Sequence, residues 1–309
     1  MISEIKIFAP ATVANVGCGF DILGFALQHP GDYVTVRKIH GSEVRIKKIT
    51  GDEGKLPRDP DKNTAGVAAM EFLKKFNIKS GVELEIQKGM PMGSGLGSSA
   101  ASSAATLFGL KHIFLHNTDR KQLLSCGLQA EAAACGYPHA DNIAPSLLGG
   151  LVLIRSYDPL EVIPLSFPED LFCTVICPHI ELKTRKLREL LPEKVLLSSA
   201  VKQWGNVAGL IIGLEKKDYV LISRSMEDYI IEPVRSAFIP FFQKIKSCAL
   251  ASGALGCSIS GSGPSVFALS QGKDTAEMVS TSMADIYEKH SISYKIYNSS
   301  INREGPRLC

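Results

Sequence analysis

Between residues 91 and 101 the chain reads PMGSGLGSSAA. Three glycines, Gly93, Gly95 and Gly97, are interleaved with Ser94 and Leu96 and followed by Ser98 and Ser99. Glycines remove the β-carbons that hold a ligand off the backbone, and they accept positive φ. Ahead of the stretch, VELEIQ (82–87) alternates as a strand, and behind it an alanine-rich run reads as a helix from about 97 to 114. The first N–H groups of a helix have no partner within it and lie at the positive end of its dipole. Strand, glycine loop and helix start in that order make a seat for phosphate. The competing reading is a flexible turn entering a tightly packed Ala/Ser helix. Two better-known phosphate loops do not apply. A Walker loop needs a lysine, and none lies between Met90 and Leu110. The dinucleotide fingerprint needs a glycine five positions after Gly93, where Ser98 stands.

His139, Asp141 and Asn142 fall within four residues. A metal site is one reading, although further ligands at suitable spacing are not evident; turn and cap residues are the other. Glu131 follows on a helical pattern among Ala130, Ala132, Ala133 and Ala134, where little else is polar.

The elements that must position these groups follow from periodicity. DYVTVRKI (32–39) and EVRIKKI (43–49) read as strands of a hairpin turning at His40-Gly41. Residues 64–76 have helical spacing, 119–134 reads as another helix, and GGLVLI (149–154) as a strand. In the second half a strand at 171–177 precedes helical patterns over 185–191, 194–215, 217–227 and 234–251. Two strands (255–260 and 265–270) then flank GSGP, and a helix (273–289) and a strand (293–297) follow. Without the extra helices this is β-α-β-β-α-β, the split βαβ pattern. The segment 155–170 carries three prolines and is the expected join, dividing the chain into 1–157 and 158–309.

PMGSGLGSSAA resembles the P-x-x-x-G-L-G-S-S-A-A motif of the GHMP kinases. APATVANVGCGFD (9–21) is similar to the N-terminal signature of the homoserine kinase branch, with Val13 and Cys18 where that pattern has serine and proline. PHADN (138–142), TRKLRELLP (184–192), EPVRSAFIPFF (232–242), GSGPSVFAL (261–269) and the final NREGPRL resemble further segments of that branch in the same order. Leu187 stands where the 184–192 pattern usually has alanine. The resemblance implies an α+β, two-domain GHMP kinase fold. Its N-terminal, ATP-binding domain would be like domain 2 of ribosomal protein S5, and its C-terminal domain ferredoxin-like, with the active site between them. It implies transfer of the γ-phosphoryl group of ATP to the hydroxyl of L-homoserine. Pro91, Met92, Gly93, Ser94, Gly95, Leu96, Gly97, Ser98 and Ser99 would wrap the triphosphate, with Asn63 near adenine. Ser98 and Glu131 would hold Mg²⁺. Arg188 and Arg235 would take the carboxylate of homoserine, Asp21 and Asn15 its ammonium, and Asn142 its hydroxyl. His139, Thr184 and Gly261 complete the implied acceptor site, and Asp141 joins Asn142 and Arg188 in the implied catalytic set. Whether a general base acts is left open. The rival readings are another GHMP small-molecule kinase, such as a mevalonate kinase, and a non-catalytic ligand sensor on the same scaffold.

Composition narrows the field. The 309 residues are 45% hydrophobic and 21% charged, ordinary for a globular protein with a large core. A net charge of +3 without a dense basic stripe argues against nucleic acid. Eight cysteines without a C-x-x-C pair read as buried thiols in a reducing compartment. The longest nearly apolar run, LLGGLVLI, is far short of the ~20 residues of a membrane span. No signal peptide is evident in MISEIKIFAP. A cytoplasmic protein is expected, with a homodimer left open.

Overall fold

The computed structural model describes residues 2–180 and 184–309. The chain opens with β1 (Glu4–Ala14), β2 (Leu23–Ile39) and β3 (Val44–Thr50). Then come α1 (Thr64–Lys75), β4 (Gly81–Gln87), α2 (Ser98–Phe114), α3 (Leu124–Cys135) and α4 (Ala140–Leu148). A hairpin of β5 (Leu151–Tyr157) and β6 (Leu160–Leu165) leads to β7 (Leu171–Pro178). A helical stretch follows: α5 (Thr184–Glu189), α6 (Leu197–Lys216), α7 (Tyr219–Ser225), α8 (Glu232–Arg235) and α9 (Phe242–Ala251). The chain ends with β8 (Gly256–Ile259), β9 (Val266–Gln271), α10 (Lys273–Lys289), β10 (Tyr294–Ser300) and β11 (Arg307–Leu308).

The first sheet runs β11-β1-β2-β4-β3, with β5 pairing the start of β2 and β6 pairing β5. The expected hairpin between 32–39 and 43–49 does not form. β4 lies between them, antiparallel to β2 and parallel to β3. Charge explains the insertion. Arg37 on β2 and Arg45 and Lys47 on β3 would repel as direct neighbours, whereas β4 brings Glu83 and Glu85 between them. Glu83 binds Arg37 and Arg45, and Glu85 lies 3.0 Å from Lys47.

Helix α2 is buried on nearly every side, from Ala100 to Leu110. It runs across β1 and β2 and under α1, α3 and α4. Only small residues allow that depth: a β-carbon on Gly109 would lie 2.7 Å from Val36 Cγ2. The sheet therefore fixes α2 rigidly, and the start of α2 is where the glycine loop ends.

The second sheet runs β10-β7-β9-β8 and is antiparallel throughout. This is the expected split βαβ order, with α9 and α10 covering one face through Phe242, Ile245, Val279 and Met283. The other face packs against the first sheet, where the Phe25 and Phe267 rings meet edge to face. The division expected at 157/158 falls in the turn of the β5–β6 hairpin, and 166–170 carry the chain across to β7. The C-terminal end returns to the first sheet through Ile301 against Leu27 and through β11 against β1.

Candidate active site

The glycine loop is held by its own backbone. Thr12 N donates to Leu96 O at 3.0 Å, and Ser265 N donates to Ser94 O at 3.2 Å. Ser260 Oγ donates to Gly95 O at 2.8 Å. The loop is thus clasped between β1 and the turn joining β8 to β9. Two of the glycines are there because nothing else fits. A β-carbon on Gly95 would lie 2.5 Å from Ser260 O, and one on Gly97 2.0 Å from Thr12 Oγ1. Gly97, at φ 63°, caps α2 without a side-chain bond, leaving the first N–H groups of that helix open to the cavity in front of them.

Beneath the loop lies a buried charge network that the sequence did not announce. Lys88, just past the end of β4, pairs with Asp32 on β2. Its Nζ also donates to Ser98 O at 2.8 Å and to Ser102 Oγ at 2.7 Å. Asp32 accepts further from Gly89 N at 2.9 Å and from Ser102 Oγ at 2.8 Å. A buried cation and anion hydrogen-bonded this fully tie the two strands to the first turn of α2.

Glu131 on α3 reaches the same turn. Its Oε2 accepts from Ser99 Oγ at 3.0 Å, while Oε1 is buried with no hydrogen-bond partner. Burial pushes its carboxyl up to about 7. A buried oxygen without a donor, beside a helix start and a serine hydroxyl, fits a hard cation carried by a phosphate chain. The serine beside Glu131 is Ser99. Ser98, expected there, instead points its hydroxyl toward Asp32 at 3.4 Å.

The opposite wall is made of charged side chains from both sheets. Asn15 and Asp21 stand at φ 69° and 60°, in the loop after β1. Asn15 Oδ1 accepts from Asp21 N at 3.0 Å, and Asn15 Nδ2 donates to Gly261 O at 2.7 Å. Tyr157 donates to Asp21 O at 2.8 Å and accepts from Ala140 N at 3.3 Å, linking β5 to the start of α4. Arg188 grips Asp21 with two hydrogen bonds, at 3.2 and 2.7 Å, which raise its guanidinium further. Arg235 is buried, and burial lowers its guanidinium. It donates to Gly261 O at 3.0 Å, while its Nε has no partner. Both guanidiniums lie over Phe20. His139 sits 3.7 Å from Asp21, and burial, with both arginines, pushes its imidazole down. The Asp141 carboxyl is buried, which together with Asp21 pushes it up to about 7. Asn142 Oδ1 accepts from Thr12 Oγ1 at 2.8 Å, just where Gly97 approaches.

These walls enclose one cavity of about 380 Å³. The structure brings nearly all of the expected residues to it, including Met92, Gly93, Asp141 and Arg235. Asn63 lines it too, while also capping α1 through Ala65 N at 3.1 Å, so the two expectations for that residue coexist. Two residues fall outside it. Leu96 is fully buried in the core, contributing its carbonyl to the clasp on β1, and Pro91 is absent from the wall. The side chain of Thr184 lies outside the described residues. Phe20, Lys88 and Ser102 also line the cavity; Phe20 falls within the 9–21 signature, whereas no sequence pattern marks Lys88 or Ser102. Lys88 follows the alternating strand just before the loop, a position where a solvated lysine is commonplace. Only burial distinguishes it.

This combination, a backbone-built anion seat facing a wall of arginines and carboxylates, is that of a small-molecule kinase. Residues 63–150 match the GHMP kinases N terminal domain and 210–289 the GHMP kinases C terminal. The chain belongs to the GHMP kinase family. It is 44% identical over 318 residues to a homoserine kinase of Chloroherpeton thalassium, covering 99% of this chain and all of that protein. A homoserine kinase of Arabidopsis thaliana is 42% identical over 293 residues, covering 93% of this chain and 79% of that protein. The crystal structure of homoserine kinase from Cytophaga hutchinsonii superposes with a TM-score of 0.97 at 49% identity, covering all of this chain and 98% of that one.

Proposed function

We propose that the chain transfers the γ-phosphoryl group of ATP to the side-chain hydroxyl of L-homoserine, giving O-phospho-L-homoserine and ADP on the route to threonine. The observation that carries this reading is one cavity joining the glycine loop at the start of α2 to Arg235, Arg188 and Asp21. The whole-length similarity to homoserine kinases supports the choice of acceptor.

Homoserine is a zwitterion with a terminal hydroxyl. Arg235, with an unpartnered Nε, is a buried cation short of an acceptor, as a carboxylate site requires. Asp21 offers a carboxylate for the ammonium, and Arg188 bridges the two ends. Asp21 and Arg188 pair with each other, and an entering acceptor would exchange that ion pair for its own contacts. The hydroxyl end then lies toward Asn142, beside Gly97. The first N–H groups of α2 and of the loop receive the phosphates. Glu131 and Ser99 are the residues that would hold Mg²⁺, which when bound neutralises charge on the phosphate oxygens. A loose phosphoryl transition state asks chiefly for alignment and fixed dipoles, and both walls supply these. The acceptor oxygen gains a bond to phosphorus as the bond to the β-phosphate oxygen breaks, and the hydroxyl proton leaves.

The destination of that proton has two readings. In the first, no residue takes it and it passes to a phosphate oxygen. In the second, Asp141 takes it, favoured by a carboxyl near 7 in the cavity wall. Asp141→Asn separates them: turnover within several-fold of the parent supports the first, and collapse to background with intact homoserine binding supports the second. The function itself is tested by following ADP release with homoserine, mevalonate and galactose side by side. Homoserine should be strongly preferred. Good turnover of another acceptor with negligible activity on homoserine would overturn the assignment.

A further inference from the structure

The acceptor wall is held from behind by a residue that does not reach the cavity. Gln203, on α6, is 7% exposed and lies outside the cavity lining. A helical glutamine is ordinarily solvated. Here the amide is used at both ends. Nε2 donates to Cys18 O at 2.8 Å and to Asp228 Oδ1 at 2.9 Å, and Oε1 accepts from Tyr229 N at 2.9 Å. Two oxygens face its nitrogen and one N–H faces its oxygen, so only one orientation of the amide serves.

Each partner leads to one side of the acceptor wall. Cys18 stands three residues before Asp21, in the loop after β1. That loop is pressed onto the segment ahead of α8: a β-carbon on Gly17 would lie 2.6 Å from Met226 O. Asp228 builds the segment that carries Arg235. Its carboxylate accepts from Ile230 N at 2.9 Å, Ile231 N at 3.0 Å and Glu232 N at 2.9 Å, and Arg235 N then donates to Ile231 O at 3.0 Å. Glu232 anchors α8 to β8 by accepting from Ser258 Oγ at 2.7 Å. Gln203 thus joins the loop of Asp21 to the support of Arg235 through a single polar group. On the cavity side the two are joined again, because Asn15 and Arg235 both donate to Gly261 O.

We propose that Gln203 is a positioning residue of the acceptor site. Its amide fixes Asp21 and Arg235 at the separation that one α-amino acid bridges, so that ammonium and carboxylate are held together rather than in turn. This role rests on the reaction proposed above, in which Asp21 takes the ammonium and Arg235 the carboxylate. Two weak contacts made by one molecule reinforce each other only when the geometry lets both form at once. Gln203 supplies that condition without touching the acceptor. Removing its amide leaves Cys18 O and Tyr229 N without partners and lets the Asp21 loop move relative to α8. Each half of the wall keeps its charge, and what is lost is their alignment.

The test compares homoserine with two analogues that reach one half of the wall each. γ-Hydroxybutyrate lacks the ammonium and aminopropanol lacks the carboxylate; both are measured as inhibitors competing with homoserine. Gln203→Met, of similar length but without a polar end, should raise the KM for homoserine roughly tenfold, with the KM for ATP near the parent value. Inhibition by either analogue should change by less than about twofold, since neither needs both halves. Gln203→Lys can still donate to Cys18 O and Asp228 and should stay near the parent. Gln203→Glu can only accept, sets its carboxylate against Asp228, and should lose at least as much as Gln203→Met. Circular dichroism and thermal unfolding check that each variant is folded at the assay temperature, and should Gln203→Met fail to fold, the contrast of Lys with Glu gives the same reading. A homoserine KM unchanged in both Gln203→Met and Gln203→Glu overturns the proposal. An equal loss for homoserine, both analogues and ATP overturns it too, leaving Gln203 a purely structural residue. A parent that phosphorylates mevalonate or galactose in place of homoserine overturns the proposed reaction and this role together, and that result is read from the parent alone.

Discussion

The two walls of the cavity are built on different principles. The phosphate side is backbone: glycines at positive φ, carbonyls and amides clasped between β1 and the β8–β9 turn, and a buried Lys88–Asp32 pair underneath. The acceptor side is side chains drawn from distant segments: Asp21 pairs with Arg188 and lies 3.7 Å from His139, while Arg235 donates to Gly261 O. On the proposed function, the first wall would receive a group common to all nucleotides. On the same proposal, the second would receive one small molecule and exchange the Asp21–Arg188 pairing for contacts to it. Lost geometry should therefore act through the first wall and lost charge through the second. The largest effect is expected from Gly97→Ala. It forces a β-carbon against Thr12 Oγ1 at φ 63° and displaces the start of α2. A fall in kcat/KM for ATP of at least about 10²-fold is expected, because small misplacements of reacting groups cost that much. Steady-state kinetics with each substrate varied will check it. An equal loss confined to the homoserine KM would break the comparison.

Charge removal on the second wall should follow next. Arg235→Ala is expected to lower kcat/KM for homoserine by roughly 10²-fold, in keeping with a hydrogen-bonded buried charge, while the KM for ATP stays near the parent value. Arg188→Ala should cost less, about 10-fold, because Arg188 is more exposed and has Asp21 as a partner before substrate arrives. Asp141→Asn should lower kcat by less than either arginine change lowers kcat/KM. Reversal of that order would make Asp141 part of the chemistry rather than of the wall.

The contrast also explains what the sequence could reveal. A backbone-built wall writes itself into a short contiguous string, because glycines answer local steric demands; 91–101 is therefore legible as a candidate phosphate seat, with a flexible turn as its competing reading until the resemblance is added. The split βαβ order is legible for the same reason, since alternation and helical spacing are local. A side-chain wall is scattered over more than 200 residues, and Asp21, Arg188 and Arg235 each read as an ordinary surface charge until the resemblance to a family joins them. Lys88 and Asp32 escape altogether, since only the pairing of β2 with β4 buries them together. The choice between Ser98 and Ser99 is beyond reach for a finer reason. Adjacent helical residues point about 100° apart, and only the position of α3 decides which one meets Glu131. The missed β4 insertion is of the same kind: the strand that neutralises Arg37 and Arg45 comes from more than thirty residues downstream.

The smallest effect sharpens the comparison from the phosphate side. Burial holds the Glu131 carboxyl near 7, well above its value in an unfolded chain. Between about pH 4.5 and 7 the folded protein therefore binds more protons at this group than the unfolded one, and stability falls as pH rises through that window. The shift is worth roughly 3 kcal/mol at most. Glu131→Gln removes it. The variant should gain in Tm relative to the parent by several degrees on going from pH 5 to pH 8, as read by thermal unfolding. Asp141→Asn should act in the same direction, since that carboxyl is raised for the same first cause. Magnesium and nucleotide should reverse the sign at Glu131 alone, because a cation favours the charged carboxylate. Binding near pH 6.5 should then release a proton, seen as a calorimetric heat that depends on the buffer, and Glu131→Gln should abolish that dependence. A buffer-dependent heat that survives Glu131→Gln but disappears in Asp141→Asn would move the cation's influence to the acceptor wall and erase the division between the two.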